Sequence, residues 1–240
     1  MIDIHCHILP ELDDGSDSIE TTVEMARIAY NCGIRGIIAT PHCNIPGEDG
    51  NYYSESYRSA FQSAVSAIQK AGIPVRLMPG MEVFVTFDVP DLIRDNKIIT
   101  LNNSSYILTE FDFCEDPEFV EFMVERFLDM KLVPVIAHPE RYEFIKYCPE
   151  LASRLRQMGC VLQANKGSFM GRYGNTSRRI AFMLLEDGLI DVVASDAHTP
   201  YIRTPDISRC LNTLKDITDT NLLFNTNPTA ICANAPVKRL

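Results

Sequence analysis

Met1-Ile2-Asp3-Ile4-His5-Cys6-His7 is the stretch from which the rest of the chain can be read. It is an apolar run too short for a helix of its own, and it ends in two histidines at i and i+2. On a strand those two positions lie on the same face. A strand that ends in His-x-His reads as the edge of a metal site. Two surface or core histidines would look the same, so the meaning of the pair depends on the rest of the chain. The other three of the five histidines, His42, His138 and His198, all sit where apolar runs end.

Working outwards, a polar turn rich in carboxylates (Ile8 to Ser16) leads to Ile19, Val23, Ala26 and Tyr30 at helical spacing, stopped by Cys32-Gly33. A second strand, Gly36 to Thr40, ends at Pro41-His42. A helix with Tyr57, Phe61, Val65 and Ile68 on one face follows, closed by Gly72. Further strands run from Val75 to Met78, ahead of Glu82; from Tyr106 to Thr109, ahead of Glu110; and from Leu132 to Ala137, ahead of His138. Two more run from Cys160 to Ala164, ahead of Asn165, and from Ile190 to Ser195, ahead of Asp196 and His198. Helices are predicted around 117–130, 149–158 and 176–187, with late ones near 206–217 and 228–234. Near-continuous apolar strands alternating with amphipathic helices indicate a parallel sheet covered by helices, an α/β fold.

Six of these seven strands place a metal-type ligand at or just past the C-terminal end, and the seventh places an amide there. In an α/β barrel those ends converge on one face, where active sites are built. An open doubly wound sheet would use the same edge. No Gly-rich phosphate loop follows the first strand, however, and the ligands are spread over nearly every strand, so a barrel gathers them more easily.

The 240 residues, 46% hydrophobic and without repeats, low-complexity tracts or linkers, read as a single domain, 1–240. No apolar run is long enough to span a membrane, and the N-terminus has no signal-peptide pattern, so a cytoplasmic protein without membrane insertion is expected. A net charge of −10 argues against a nucleic-acid surface. If carboxylates hold divalent cations, the active site can still be positive inside a negative protein. The eight cysteines show no CxxC pairing and read as reduced, mostly buried thiols. Cys148 to Arg154 fits the C-x5-R pattern of thiolate phosphatases, but it has no glycine to wrap a phosphate and is full of helix formers, so the match reads as coincidence.

His5-Cys6-His7 with Asp14, Thr40-Pro41-His42, Pro79-Gly80-Met81-Glu82, Leu108-Thr109-Glu110-Phe111, Ala137-His138-Pro139-Glu140-Arg141 and Ala194-Ser195-Asp196-Ala197-His198 together resemble the polymerase-and-histidinol-phosphatase (PHP) superfamily. Within it the likeness is to bacterial protein-tyrosine phosphatases of capsular and exopolysaccharide loci. The opening MIDIHCHILP-x-x-DDG, AHPERY and SDAH carry it, over residues 1 to about 230. The resemblance implies a distorted (β/α)7 TIM-like PHP barrel holding two or three divalent metal ions, manganese first, with iron, zinc or magnesium as alternatives. By motif, His5, His7, Glu82 and Asp196 would hold one metal. Glu82 and Glu110 would bridge towards His138 on a second, and Asp14, His42 and His198 would hold a third. Mixed imidazole and carboxylate ligands independently suit manganese, iron or zinc, and without a thiolate none is selected sharply.

Each ligand also has a plainer reading: His42 as a helix cap, His138 as a satisfied core histidine, Asp13 and Asp14 as loop or capping acids. Glu110 is harder to dismiss, because a carboxylate after Tyr-Ile-Leu-Thr is expensive to bury alone. Asp3 is either a partner of the ligands or simply structural. A metal cluster lowers the pKa of a water from about 15.7 towards 7, giving a hydroxide able to attack phosphorus in line. Arg141 and Arg203 are the catalytic candidates, clamping the phosphate unless they merely pair with Glu140 and Asp206.

The resemblance narrows the substrate to the phosphotyrosine-bearing tail of a bacterial polysaccharide-assembly tyrosine kinase. Competing readings are a histidinol-phosphate or other small phosphomonoester phosphatase, and a non-catalytic regulatory partner of the kinase. The Cys43–Ser56 loop, with Tyr52 and Tyr53, either shapes the entrance or only packs. Lys166 at a strand end is read as solvated rather than phosphate-binding.

Overall fold

The computed structural model describes residues 1–47 and 50–239; Glu48 and Asp49, in the loop expected at the entrance, lie outside the described residues. Its strands are β1 (Ile2–Cys6), β2 (Gly36–Ala39), β3 (His42–Cys43), β4 (Arg76–Pro79), β5 (Glu82–Phe84), β6 (Tyr106–Glu110), β7 (Val133–Ala137), β8 (Val161–Asn165) and β9 (Val192–Ala194). All their pairings are parallel, as the apolar runs require. Two of the expected strands are each followed by a further short one. Pro41, which has no N–H for a ladder, falls between β2 and β3. Gly80 falls between β4 and β5, where a Cβ would lie 2.6 Å from Ile38 Cγ2.

The division leaves two hydrogen-bonded sheets, β1-β2-β4 and β3-β5-β6-β7-β8-β9. The ring closes between the first and last strands through His7 N–H to Ala197 O (2.8 Å) and Asp196 N–H to His5 O (2.9 Å). The result is a distorted barrel of seven strand positions. Its interior layer takes one side chain from each position, Ile4, Ile38, Met78, Leu108, Val135, Val161 and Val192, packed with Leu101 and Ile231.

The helices are α1 (Ile19–Asn31), α2 (Glu55–Lys70), α3 (Val89–Arg94), α4 (Pro117–Asp129), α5 (Glu143–Tyr147), α6 (Glu150–Met158), α7 (Lys166–Phe169), α8 (Gly174–Glu186), α9 (Ser208–Leu214) and α10 (Asn227–Cys232). Ser18, Ser54 and Asp116 start three of them by accepting hydrogen bonds from the backbone N–H groups of Thr21, Tyr57 and Glu118. Helix α4 buries Val120, Met123, Val124 and Phe127, the i, i+3, i+4, i+7 stripe of a helix lying on a sheet.

Simple alternation would place His5 and His7 on the face opposite Ile4. The register of β1 against β2 resolves the conflict: three steps from Asp3 to Cys6 match two from Ile37 to Ala39. One extra residue in β1 lets Ile4 pack in the barrel interior while His5 and His7 still face the same axis.

Candidate metal centre

One turn of side chains beyond the apolar interior layer, the strand ends deliver all nine expected ligands to one place. Glu82, first residue of β5, lies at the centre. Its Oε2 is 3.0 Å from His5 Nε2, 3.1 Å from His7 Nε2 and 3.1 Å from His42 Nδ1, and its Oε1 is 3.1 Å from His138 Nε2. Asp196 Oδ1 lies 3.5 and 3.6 Å from His5 and His7, and Glu110 lies 3.4 Å from His138 and 3.5 Å from His42. Asp14 Oδ1 is 3.2 Å from His198 and 3.6 Å from His42. Three donor sets have their atoms within 4.8 Å of one another: His5, His7 and Asp196; His42, Glu82 and Glu110; and His7, Asp14, His42 and His198. His42, expected only with Asp14 and His198, therefore also faces the Glu82–Glu110 pair.

Hydrogen bonds behind the imidazoles decide which nitrogens carry lone pairs. Gln163 Nε2 donates to Asn165 Oδ1 (2.9 Å), so its Oε1 accepts from His5 Nδ1–H at 2.7 Å. Asp13 Oδ2 accepts from His7 Nδ1–H at 2.6 Å. With both rings neutral, the Nε2 atoms of His5 and His7 would both carry lone pairs, yet they stand 3.2 Å apart and face Glu82. His198 repeats the pattern: Nδ1–H meets the Asp196 carbonyl at 3.2 Å, which turns the buried Nε2 towards Asp14 Oδ1, 3.2 Å away. Lone pairs converging on a buried point are mutually repulsive unless a cation or protons stand between them. With imidazole and carboxylate donors backed by oriented acceptors, the set fits divalent transition cations.

Titration follows the same geometry. Burial alone would raise the Glu82 pKa, but the imidazoles of His5, His42 and His138 hold it well below the ordinary carboxylate value. Asp196 is likewise depressed, by His5 and Arg203 against its burial. Burial would lower His7 and His138, but Asp13 and Glu82 raise the first, and Glu110 and Glu82 bring the second up to about 9. The cluster without cations thus holds protons instead. Its backbone is strained as well: His138 (φ 36°) and Asp196 (φ 49°) are left-handed, each at a cost on the order of 1 kcal/mol.

Both candidate arginines reach the cluster. Arg203 Nη2 donates to Asp196 Oδ1 (2.5 Å) and Arg141 Nη1 lies 3.9 Å from Asp196 Oδ2. The alternative partners are not used: Glu140 is buried, accepting from Asn165 N–H (2.9 Å) and Ser168 Oγ–H (2.6 Å). The Arg141 guanidinium lies between two rings, 4.6 Å from the Phe113 centroid and 4.5 Å from that of Tyr173. Arg141, Arg203, Phe113 and Phe84 complete a cavity of about 420 Å³ over the ligands.

The chain matches a family described as capsular polysaccharide synthesis, CpsB/CapC, over residues 1–233. It belongs to the CpsB/CapC family. It is 39% identical to the tyrosine-protein phosphatase YwqE of Bacillus subtilis over 208 residues, 85% of this chain and 79% of that protein. It is 30% identical to the tyrosine-protein phosphatase CpsB of Streptococcus pneumoniae over 212 residues, 85% and 86% of the two chains. A crystal structure from work on YwqE and CpsB, described as metal-dependent tyrosine phosphatases, superposes with a TM-score of 0.93 at 35% identity, covering 100% of this chain and 97% of that one. A phosphotriesterase from Mycobacterium tuberculosis, at 12% identity and TM-score 0.60 over 98% and 93% of the chains, shares the fold.

Other features of this CpsB/CapC chain were open or unmarked in the sequence. Asp13 supports two ligands at once, accepting from the His7 ring and from the His42 backbone N–H (2.9 Å). Asp3 Oδ1 accepts from Ser195 N–H at 3.0 Å, tying β1 to the end of β9. Gln163 and Asn165 carry a relay from His5 to Asp196, and two amides two residues apart in a buried strand were a readable sign of it. Lys166 is a correction to the solvated reading: its stem is partly buried and Nζ donates to the Asp206 carbonyl (2.6 Å). Cys148 lies outside the cluster, and Arg154 pairs with Glu121 (Nε to Oε1, 2.7 Å), as a coincidental C-x5-R requires. All eight cysteines are free thiols.

Proposed function

We propose that this chain is a protein-tyrosine phosphatase, a phosphoric monoester hydrolase built as a single domain, 1–240, on a divalent metal cluster held by His5, His7, Asp14, His42, Glu82, Glu110, His138, Asp196 and His198. The observation that carries the reading is the meeting of the His5 and His7 lone pairs with Glu82 under a cavity walled by two arginines. Bound cations, manganese first, would supply Lewis acidity towards phosphoryl oxygens and a lowered pKa for an attacking water. Arg203, held by Asp196, and Arg141, held against the Phe113 and Tyr173 rings, bind the phosphoryl oxygens in fork geometry and add positive charge against which charge develops. Phe113 and Phe84 offer apolar walls for an aryl leaving group. A tyrosyl oxygen with a conjugate-acid pKa of about 10 leaves with little help from a general acid. Relatives named tyrosine-protein phosphatases and a family of capsular polysaccharide synthesis support a phosphotyrosyl protein as substrate; we extend this to a cytoplasmic location and the phosphotyrosine tail of a polysaccharide-assembly kinase.

The test is phosphate release from a phosphotyrosyl peptide, with and without manganese, by wild type and His5→Ala side by side. Release by wild type only with metal, and its loss in the variant, is expected; equal rates with and without metal refute the reading. Histidinol phosphate serves as the comparison substrate, and faster turnover of it transfers the assignment to the small-molecule reading. Arg141→Ala is expected to lower kcat/KM about a hundredfold, the scale for removing one preorganised donor.

A further inference from the structure

Beside the metal cavity lies a second one, of about 390 Å³, which no step of the proposed hydrolysis uses. Arg203 and Tyr173 line it, and Arg203 also lines the metal cavity, so the two spaces share a wall. Lys166, Arg172 and Arg209 bring three further cations to it, against one described carboxylate, Asp206. In a chain of net charge −10 that is a local reversal of sign.

Asp206 and the buried Asp3 offset part of the Lys166 charge from a distance, without pairing with it. Asp206 Oδ1 accepts from the Ser208 backbone N–H (2.9 Å) at the start of α9, and Lys166 meets the Asp206 carbonyl, not its side chain. Among the described residues no carboxylate forms an ion pair with Lys166, Arg172 or Arg209, whereas Arg203 is bound to Asp196. The Lys166 ammonium is substantially desolvated, which lowers its pKa. Arg172 and Arg209 are exposed at the rim, and with the Lys166 ammonium their guanidiniums give the hollow a positive lining open to an anion. The lip adds apolar surface: Tyr201 and Ile202 are 85% and 70% exposed, on the segment that leads into Arg203.

We propose that this cavity is a side pocket for a second anionic side chain of the substrate polypeptide, close to the scissile phosphotyrosine, with Lys166, Arg172 and Arg209 binding the anion and Tyr201 and Ile202 packing against the intervening chain. The inference rests on the phosphotyrosine reading of the metal cavity and deepens it: selectivity among phosphotyrosines is set by what flanks them. Two sources supply the anion, a second phosphotyrosine or an acidic residue. A dianion with three acceptor oxygens uses both guanidinium forks and the ammonium, so the phosphate is the stronger occupant.

The test is a set of peptides with one fixed phosphotyrosine and, at successive positions on either side, a second phosphotyrosine, a glutamate or a glutamine. At the preferred position kcat/KM is expected to exceed that of the glutamine peptide about tenfold for phosphotyrosine and a few-fold for glutamate, the scale of two or three partly exposed charge contacts. The advantage should shrink as salt rises. In Arg172→Gln/Arg209→Gln the ratio of the two kcat/KM values is expected to fall towards one, with Lys166→Met giving a smaller fall in the same ratio. A ratio near one at every position in the wild type overturns the proposal, as does an unchanged ratio in the double variant. Failure to hydrolyse even the glutamine peptide instead overturns the phosphotyrosine reading, and the pocket with it.

Discussion

Replacing Asp13 by asparagine tests the metal centre without touching any proposed ligand. Three N–H donors converge on this carboxylate: His7 Nδ1 and the His42 backbone on Oδ2, at 2.6 and 2.9 Å, and the Gly15 backbone on Oδ1, at 2.9 Å. An asparagine has one oxygen for them. If that oxygen faces His7, the amide NH2 is set against Gly15 N–H, donor to donor. If it faces Gly15, the NH2 meets His7 Nδ1 and favours the other tautomer, whose protonated Nε2 has no lone pair for a cation. Either arrangement weakens the His7 position, and loss of such a supporting acceptor typically lowers metal affinity about ten- to a hundredfold. That is roughly 1.4–2.7 kcal/mol. A competition titration against a chelator reads the affinity directly. The midpoint for activation by manganese should move in parallel, with much of kcat recovered at excess metal. Affinity equal to wild type would show that His7 does not bind through Nε2, and the lone-pair argument would fall with it.

Metal loading should also release protons. The His7 and His138 pKa values are raised, the latter to about 9, so near neutral pH these imidazoles hold protons that a cation must displace. Apparent affinity is therefore expected to rise from pH 6 to about 9 and then level off, with about one to two protons released per cluster at pH 7; calorimetry in buffers of different ionisation enthalpy measures this, and zero release contradicts it. Far from the site, Asp191 has a fully buried side chain that accepts from Leu162 N–H (3.0 Å), Arg156 (3.2 Å) and Arg239 (2.5 Å). Asp191→Ala leaves both guanidiniums without this partner and should cost about 3 kcal/mol in urea unfolding. Cys148→Ser should leave kcat/KM for a phosphotyrosyl peptide within about twofold of wild type, because the thiol lies outside the cavity; a loss of the size seen on removing a catalytic nucleophile would reinstate the C-x5-R reading.

The alternation of apolar strands and amphipathic helices made the parallel α/β sheet legible, and the spread of ligands over nearly every strand end favoured a barrel over an open doubly wound sheet. What stayed hidden was local. Helices α3, α5 and α7 have six, five and four residues, too few to display a period of 3.6. The extra residue in β1 is invisible in Ile-Asp-Ile-His-Cys, since a bulge depends on the register of a neighbouring strand. The ligands at strand ends were legible because each had to be explained as a polar group ending an apolar run. How they are shared was not: nothing local distinguishes the two nitrogens of His42, which face different carboxylates.

The same limit separates neighbours that look alike in sequence. Asp13 and Asp14 are adjacent acids, yet one is buried behind His7 and His42 while the other, more exposed, faces His198. Glu140 and Arg141 are adjacent opposite charges, and pairing them was the natural alternative to a catalytic arginine. Adjacent side chains in a helical turn do not face each other, and Pro139–Arg141 is one such turn. The left-handed His138 redirects the chain into it, so Glu140 turns back to cap the end of β8 while Arg141 is delivered between Phe113 and Tyr173. The strained histidine therefore serves twice, as a ligand candidate through its ring and, through its backbone, as the bend that frees Arg141 from its neighbour's charge. A substitution at His138 chosen to remove only a ligand will disturb the arginine as well, and one at Tyr173 loosens the arginine while also removing the hydroxyl that donates to the ligand Asp196 at 3.3 Å.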